Sequence, residues 1–306
     1  MPIDIARVRS ETPACNDLIH FNNAGAALQP RAVTDAVLQH LLLEQQMGGY
    51  EAAELNASLS DDFYHAFGKL LNCAPREIAF AENCPRAWAQ LLLSVPFEAG
   101  DRIVTGQSEY ASNYLSLLHL AKHTGVTIDV IPNNDDGLIC LETLEKHLDN
   151  DVRLIALTHI ASQSGVIQPA ADVGKLAQKH RILYLLDACQ SAGQMPLDVN
   201  KLGCDMLTGT GRKYLRGPRG TGFMYVRHRV LDYLQPQSID LQAATWLARD
   251  HYVLRDDARR FEVWEHDVAG KIGLAAAANY ALGIGLDSIE KAVQARATLL
   301  REAISS

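Results

Sequence analysis

The chain has few cysteines, and those present are far apart. Its six cysteines are Cys15, Cys73, Cys84, Cys140, Cys189 and Cys204, and none forms a CxxC pair or a cluster with histidine in the sequence. Disulfide frameworks and zinc sites are normally recognised by such local spacing. The spacing therefore predicts no metal site and favours a reducing, cytoplasmic location.

Long apolar runs and basic blocks are also missing. The first residues, MPIDIARVRSET, lack the apolar segment of a signal peptide. The most apolar stretch, residues 272–286, is shorter than the ~20 residues that span a bilayer and contains Asn279. The formal net charge is −8, without a dense Lys/Arg block, so a basic nucleic-acid-binding face is not expected. These features predict no membrane and no nucleic acid as partner.

Short apolar segments alternate with helical patterns through most of the chain. The segment ILYLLD at 182–187 is apolar on both alternating faces, as a strand covered by helices on both sides should be. Such alternation predicts an α/β fold with a mainly parallel sheet. The predicted strands are residues 77–81, 102–105, 126–131, 153–157, 182–187, 205–208 and 222–226.

The segment ENCPRAW at 82–88 follows the first predicted strand. Pro85 suits the first turn of a helix, which places Asn83 and Cys84 at its N-terminal cap. Free backbone N–H groups and the positive end of the helix dipole make such a position suitable for a phosphate-sized anion. An ordinary capped helix explains the same motif.

Asp187 ends the strand with the most buried pattern. Ligands in open α/β sheets bind outside the carboxyl ends of the strands, where a carboxylate can pair with a protonated ring nitrogen. The alternative is that Asp187 simply caps the helix that follows.

A third motif is TGTGRKYLRGPRGTGF at 208–223. Lys213 lies between two glycine-rich turns, where a buried amine can act as a Schiff-base nucleophile. Thr210 and Arg212 flank it with a hydroxyl and a bidentate phosphate donor. A nucleotide-binding P-loop is the rival interpretation, but Tyr214 follows the lysine where that motif requires Ser or Thr.

Taken in order, these motifs resemble the class V aminotransferase family, which includes cysteine desulfurases and isopenicillin-N-epimerase-like proteins. The resemblance runs from FNNAG at 21–25 to RFEVWEHDVAGKIGL at 260–274. It implies the type I fold of pyridoxal-5'-phosphate (PLP) transferases, with a seven-stranded sheet. It also implies an arm at 1–20, a large PLP-binding domain at 21–249, and at 250–306 the helical start of a small C-terminal domain, the rest of which is absent.

The same resemblance assigns roles around the cofactor ring. Lys213 would carry PLP as a Schiff base and act in catalysis, and Asp187 would pair with the pyridinium nitrogen. Gln190 would contact the phenolic oxygen, and Tyr110 in SEYASN would stack on the ring.

The cofactor phosphate would take its donors from two segments. Asn83 and Cys84 would contribute backbone N–H groups, and Thr210 and Arg212 would contribute side chains. Pro85 has no N–H, so one donor found in relatives is missing here. Relatives carry a substrate-binding arginine and a mobile cysteine in their C-terminal domain. The resemblance identifies neither residue in this sequence.

The resemblance leaves several activities open on a small amino-acid substrate. Cysteine desulfurase-like C–S bond chemistry is favoured. Transamination and epimerisation on the same scaffold are alternatives, and so is a fragment that binds cofactor without turnover. A homodimer with composite sites is expected, because Tyr50 and Trp264 are large aromatics that no strand or helix pattern buries.

Overall fold

The predicted strands all form, and they join one seven-stranded sheet. The computed structural model, which describes residues 3–305, contains this sheet in the order β1-β7-β6-β5-β4-β2-β3. β7 runs antiparallel to β1 and β6, whereas β2, β3, β4, β5 and β6 are paired in parallel. The strands are β1 (Ile78–Ala81), β2 (Arg102–Gly106), β3 (Thr127–Ile131), β4 (Val152–Thr158), β5 (Leu183–Asp187), β6 (Met206–Thr210) and β7 (Gly222–Val226). The predicted fold class is confirmed, and the strand ends shift by at most two residues.

Helices cover both faces of the sheet. They are α1 (Ile5–Ser10), α2 (Arg31–Met47), α3 (Gly49–Leu55), α4 (Ala57–Leu71), α5 (Cys84–Ser94), α6 (Ala111–Thr124), α7 (Leu141–His147), α8 (Ala170–His180), α9 (Val199–Leu202), α10 (Val268–Ile284) and α11 (Leu286–Ser305).

Two apolar clusters correspond to the two faces. Tyr184 and Leu186 pack with residues of α4, α8 and α10, whereas Leu185 packs with residues of α5 and α6. Burial on both sides explains why residues 182–187 carry no polar alternation.

α10 belongs to the same core as the sheet. It packs on α2 and α4, and Gly273 allows a close approach, because a Cβ there would lie 2.4 Å from Cγ2 of Val37. The predicted domain division at 250 remains a prediction. Within residues 3–305, no single helix is long and apolar enough to cross a membrane; α10 and α11 meet that criterion only together, across a bend of 78°.

Two features near the end of the chain differ from expectation. A hairpin of β8 (Ala244–Ala248) and β9 (His251–Leu254) was not predicted, and most of it is exposed. α11 begins at Leu286, so Asp287 lies within its first turn. The D-x-x-E spacing of Asp287 and Glu290 predicts that Asp287 caps the start of this helix. Because the helix begins one residue earlier, that prediction is wrong.

The register of the sheet determines where polar side chains meet. Thr158 at the end of β4 pairs with Asp187 at the end of β5, and Asp187 pairs with Thr208 of β6. The carboxyl ends of these parallel strands thus form one edge, which is the edge expected to bind a ligand.

Candidate active site

One pocket at this edge contains all eight residues predicted from the sequence. Its empty volume is about 490 Å³ when the open solvent at its mouth is included. The predicted residues that line it are Asn83, Cys84, Tyr110, Asp187, Gln190, Thr210, Arg212 and Lys213. The pocket is also lined by residues that the sequence analysis did not select, namely Asn113, Thr158, Ile160, Ser162 and Cys189, together with Pro85.

Lys213 lies in the turn that follows β6. The residue is 7% exposed, and its Nζ is 5.9 Å from the centroid of the Tyr110 ring. Among residues 3–305 this amine has neither a hydrogen-bond nor an ion-pair partner. The turn is compact because Gly211 lacks a side chain: a Cβ there would lie 2.3 Å from Oγ1 of Thr221. The fold therefore presents a buried amine to the pocket without pairing it with an anionic side chain of the described residues.

Asp187 is held by donors on both carboxylate oxygens. Oδ1 accepts the backbone N–H of Cys189 at 2.7 Å, and Oδ2 accepts the side-chain amide of Asn113 at 2.8 Å. The residue is 2% exposed. Because Cys189 follows Asp187 by two residues, this hydrogen bond caps a turn. The alternative interpretation, a helix cap, is wrong, because the next helix, α9, begins only at Val199. The carboxylate also lines the pocket, and its pairing with a ring nitrogen stays a prediction.

Asn113 connects Asp187 with a second carboxylate. Its Nδ2 also donates to Oε1 of Glu109 at 2.9 Å, and that oxygen accepts hydrogen bonds from the Tyr110 N–H and the Thr158 hydroxyl. Burial raises the pKa of Glu109, and the negative charge of Asp187 acts in the same direction, whereas the hydrogen bonds lower it. The sequence offered one indication of this role: Asn113 lies one helical turn after Tyr110, so both project from the same end of α6.

α5 begins where the sequence predicts. Asn83 is its N-cap and accepts the Arg86 N–H at 3.0 Å. Pro85 lies in the first turn and has no N–H. The Cys84 N–H has no protein partner within residues 3–305, so it remains free to bind an anion.

The predicted phosphate side chains line the pocket and also make protein contacts. The Thr210 hydroxyl donates to the carbonyl of Thr221 at 3.3 Å. The Arg212 guanidinium donates to the carbonyl of Gly25, which ties the early segment FNNAG to the pocket.

Gln190 provides a test of whether a ligand fits. Its Nε2 donates to the carbonyl of Ala24 at 3.3 Å, whereas its Oε1 is buried and has no partner in the described part of the chain. A buried polar atom without a partner is costly. The free Cys84 N–H and the free Lys213 amine therefore suit an anionic polar ligand such as one that carries a phosphate, whereas Oε1 of Gln190 suits a ligand group that donates a hydrogen bond.

Two of the widely spaced cysteines lie close together in the fold. Ligand atoms of Cys84, Asp187 and Cys189 all lie within 4.8 Å of one another. The fold brings the end of β5 against the start of α5, a contact that sequence spacing does not reveal.

Comparison with known proteins adds an independent line of evidence. The family model for class-V aminotransferases matches residues 19–306. A probable cysteine desulfurase from Pyrococcus abyssi is 30% identical over 289 residues, which cover 93% of this chain and 72% of that protein. A probable cysteine desulfurase from Halalkalibacterium halodurans is 33% identical over 90% of this chain and 69% of its own length.

A solved structure shares the fold at a similar level of identity. The apo structure of the cysteine desulfurase from Thermococcus onnurineus NA1 is 30% identical, with a TM-score of 0.85. The match covers 94% of this chain and 72% of that one.

Proposed function

Because the chain belongs to the class-V aminotransferase family, we propose that it is a PLP-dependent enzyme that breaks the C–S bond of a small amino acid, as cysteine desulfurases do. The observation that carries the proposal is the free, buried amine of Lys213 in the same pocket as Asp187. The similarity to proteins named cysteine desulfurase favours this reaction over transamination and epimerisation.

Four of the predicted residues act on the cofactor ring in the proposal. Lys213 forms the covalent bond to PLP, and Asp187 pairs with the pyridinium nitrogen and keeps it charged. Tyr110 stacks on the ring, and Gln190 hydrogen-bonds the phenolic oxygen through Nε2, which would then share its protons between that oxygen and the Ala24 carbonyl.

The phosphate is held by the other predicted residues. The backbone at Asn83 and Cys84 supplies donors at the start of α5, where the helix dipole favours negative charge. Thr210 and Arg212 complete the phosphate site, which requires the Arg212 guanidinium to leave the Gly25 carbonyl or to share its donors.

When bound, PLP makes the Cα–H of the amino acid acidic by delocalising charge into its protonated ring. Lys213, freed when the substrate amine replaces it, is then placed to take the proton from Cα. Asp187 stabilises the positive charge that this step needs on the ring nitrogen, and Asn113 holds the carboxylate in place. Removal of the Cα proton would leave an electron pair that forms a Cα=Cβ double bond while the Cβ–S bond breaks, and the sulfur would leave as a thiolate that takes up a proton.

A homodimer and a cytoplasmic location belong to the same proposal. The free thiols of Cys84 and Cys189 lie close together, and such a pair persists in a reducing compartment.

The net charge of −8 supports a small-molecule substrate rather than a nucleic acid.

A product screen tests the reaction. The protein loaded with PLP is incubated with cysteine, cystine and alanine, and sulfide, alanine, pyruvate, keto acids and D-amino acids are measured. Sulfide or sulfane sulfur formed from cysteine or cystine is the expected result, and it should vanish in Lys213→Ala. Keto acid without sulfur release supports transamination, and a racemised product supports epimerisation. PLP binding without any product supports the cofactor-binding fragment.

A further inference from the structure

Two thiols lie beside the carboxylate at the centre of the pocket. Cys84 is the first residue of α5, and Cys189 follows β5 by two residues. Their sulfur atoms and a carboxylate oxygen of Asp187 lie within 4.8 Å of one another. We propose that Cys84, Asp187 and Cys189 form a binding site for a thiophilic divalent cation of the Zn²⁺ type, and that this cation and PLP exclude each other.

The donor set and its spacing suit such an ion. Zn²⁺ binds cysteine sulfur at ~2.3 Å and carboxylate oxygen at ~2.1 Å in a tetrahedral arrangement, which places neighbouring ligand atoms about 3.6–3.8 Å apart. Sγ of Cys84 and Oδ1 of Asp187 are already 3.9 Å apart. The remaining pairs lie within 4.8 Å, so small side-chain rotations close the site. Three protein ligands leave the fourth position to water.

The surroundings hold the carboxylate ligand in place. The backbone N–H of Cys189 and the amide of Asn113 donate to its two oxygens. Hydrogen bonds of this kind to a metal ligand fix its orientation and contribute to affinity.

Charge balance is also favourable. Two thiolates and a carboxylate around a divalent cation leave one negative charge. The hydrogen bond with Cys84, burial and the charge of Asp187 raise the pKa of the Cys189 thiol, whereas the nearby Lys213 lowers it, so the cation must displace the thiol proton when it binds. Burial of Cys84 and Asp187 excludes water that would compete for the ion.

Competition with PLP follows from the shared carboxylate. Asp187 cannot ligate a cation and pair with a pyridinium nitrogen at the same time. This competition rests on the proposed function, whereas cation binding by the three residues does not. The two parts of the proposal can therefore fail separately.

Cobalt provides the test, because Co²⁺ reports thiolate ligation through a charge-transfer band. Co²⁺ is added to the reduced protein after PLP has been removed with hydroxylamine. One equivalent should produce the band, and Zn²⁺ should displace it. Cys84→Ser and Cys189→Ser should each weaken binding at least tenfold. Cys140→Ser is the matched control, because that thiol lies at the start of α7 and contacts Glu142 and Thr143 instead.

The results separate the alternatives. Absence of a stoichiometric band, or a band unchanged in the double variant Cys84→Ser/Cys189→Ser, overturns the cation site. The cation site is also overturned if Cys84 and Cys189 form a disulfide on oxidation but bind no cobalt after they are reduced. If Cys84→Ser does not fold by circular dichroism, Cys189→Ser decides alone.

A second arm tests competition by loading PLP before Co²⁺ is added. Loss of the band supports mutual exclusion, and an unchanged band overturns it. A protein that binds cobalt through both cysteines but never binds PLP contradicts the proposed function and leaves the cation site standing.

Discussion

The side-chain amide of Asn113 donates a hydrogen bond of 2.8 Å to Oδ2 of Asp187. The two residues are 74 positions apart in the chain. The same amide contacts Glu109 at 2.9 Å, so one asparagine separates two carboxylates at the pocket. Asn113 is thus a positioning residue: in the proposed function it acts through Asp187.

Asn113→Ala should lower turnover about 10–100-fold, because a hydrogen bond to a charged group contributes ~1.5–3 kcal/mol. Asp187 would lose a donor and approach Glu109 without the intervening amide. The absorption spectrum of bound PLP should change as well, which a merely structural role would not cause. Ser112→Ala, one position earlier on α6, is the control. Unchanged turnover and spectrum in Asn113→Ala would show that the amide does not serve Asp187.

Lys213→Ala should abolish the covalent bond to PLP, because the amine that forms it is gone. Borohydride reduction followed by peptide mass spectrometry locates the modified lysine in the wild-type protein. Lys179→Ala, an exposed lysine paired with Glu145, should leave the modification intact. A reducible adduct on another lysine in Lys213→Ala would contradict the assignment.

Asp187→Asn should retain part of the bound PLP, since the phosphate contacts remain. Cα deprotonation should fall by orders of magnitude, because a neutral amide does not hold the ring nitrogen in its protonated form. Each tenfold loss corresponds to about 1.4 kcal/mol in the barrier. Exchange of the Cα proton with deuterated solvent measures the step directly, with the exposed Asp172→Asn as control. Near-normal exchange would remove Asp187 from this role.

Glu262→Ala should destabilise the fold by about 3–5 kcal/mol, because it leaves buried partners without their acceptor. Glu262 accepts the Tyr64 hydroxyl at 2.9 Å and the Phe80 N–H at 2.7 Å. Lys271 donates to the same hydroxyl at 2.6 Å, and burial lowers its pKa. Denaturant unfolding measures the loss, and Glu262→Gln should be milder because it keeps an acceptor. Equal stability of Glu262→Ala and wild type would contradict this account.

The features that could be predicted from the sequence are those that follow from the order of strands and helices along the chain. Strand and helix patterns alternate, so the carboxyl end of the strand before Asp187 could be expected to bind a ligand. The resemblance to the class V family then implied that Asp187 and Lys213 share one site. The structure brings these residues together as expected, while their roles remain proposals.

The sequence did not predict contacts between distant segments. The Asn113–Asp187 hydrogen bond and the proximity of Cys84 to Cys189 depend on how the starts of α5 and α6 pack against the end of β5. The hairpin β8–β9 was missed for another reason. Most of its apolar residues are exposed, Trp246 by 71%. Because they do not pack into the core of this chain, the rule that apolar residues mark buried strands did not identify them.

The protein should form a homodimer with composite active sites. A simpler explanation for Tyr50 and Trp264 is that both rings cover the sheet of their own chain. Tyr50 is 76% exposed and Trp264 is 54% exposed, so neither ring is buried in that way. Exposed aromatics are enriched at interfaces, and twofold pairing is the commonest symmetry.

Sedimentation at low micromolar concentration, with and without PLP, measures the state of association. A dimer is expected in both conditions, because the exposed rings do not depend on the cofactor. Tyr50→Ser and Trp264→Ser should weaken association, whereas Tyr233→Ser, which removes a partly exposed ring elsewhere, should not. A monomer that binds PLP normally would contradict composite sites, because a site shared between subunits cannot be complete in one chain.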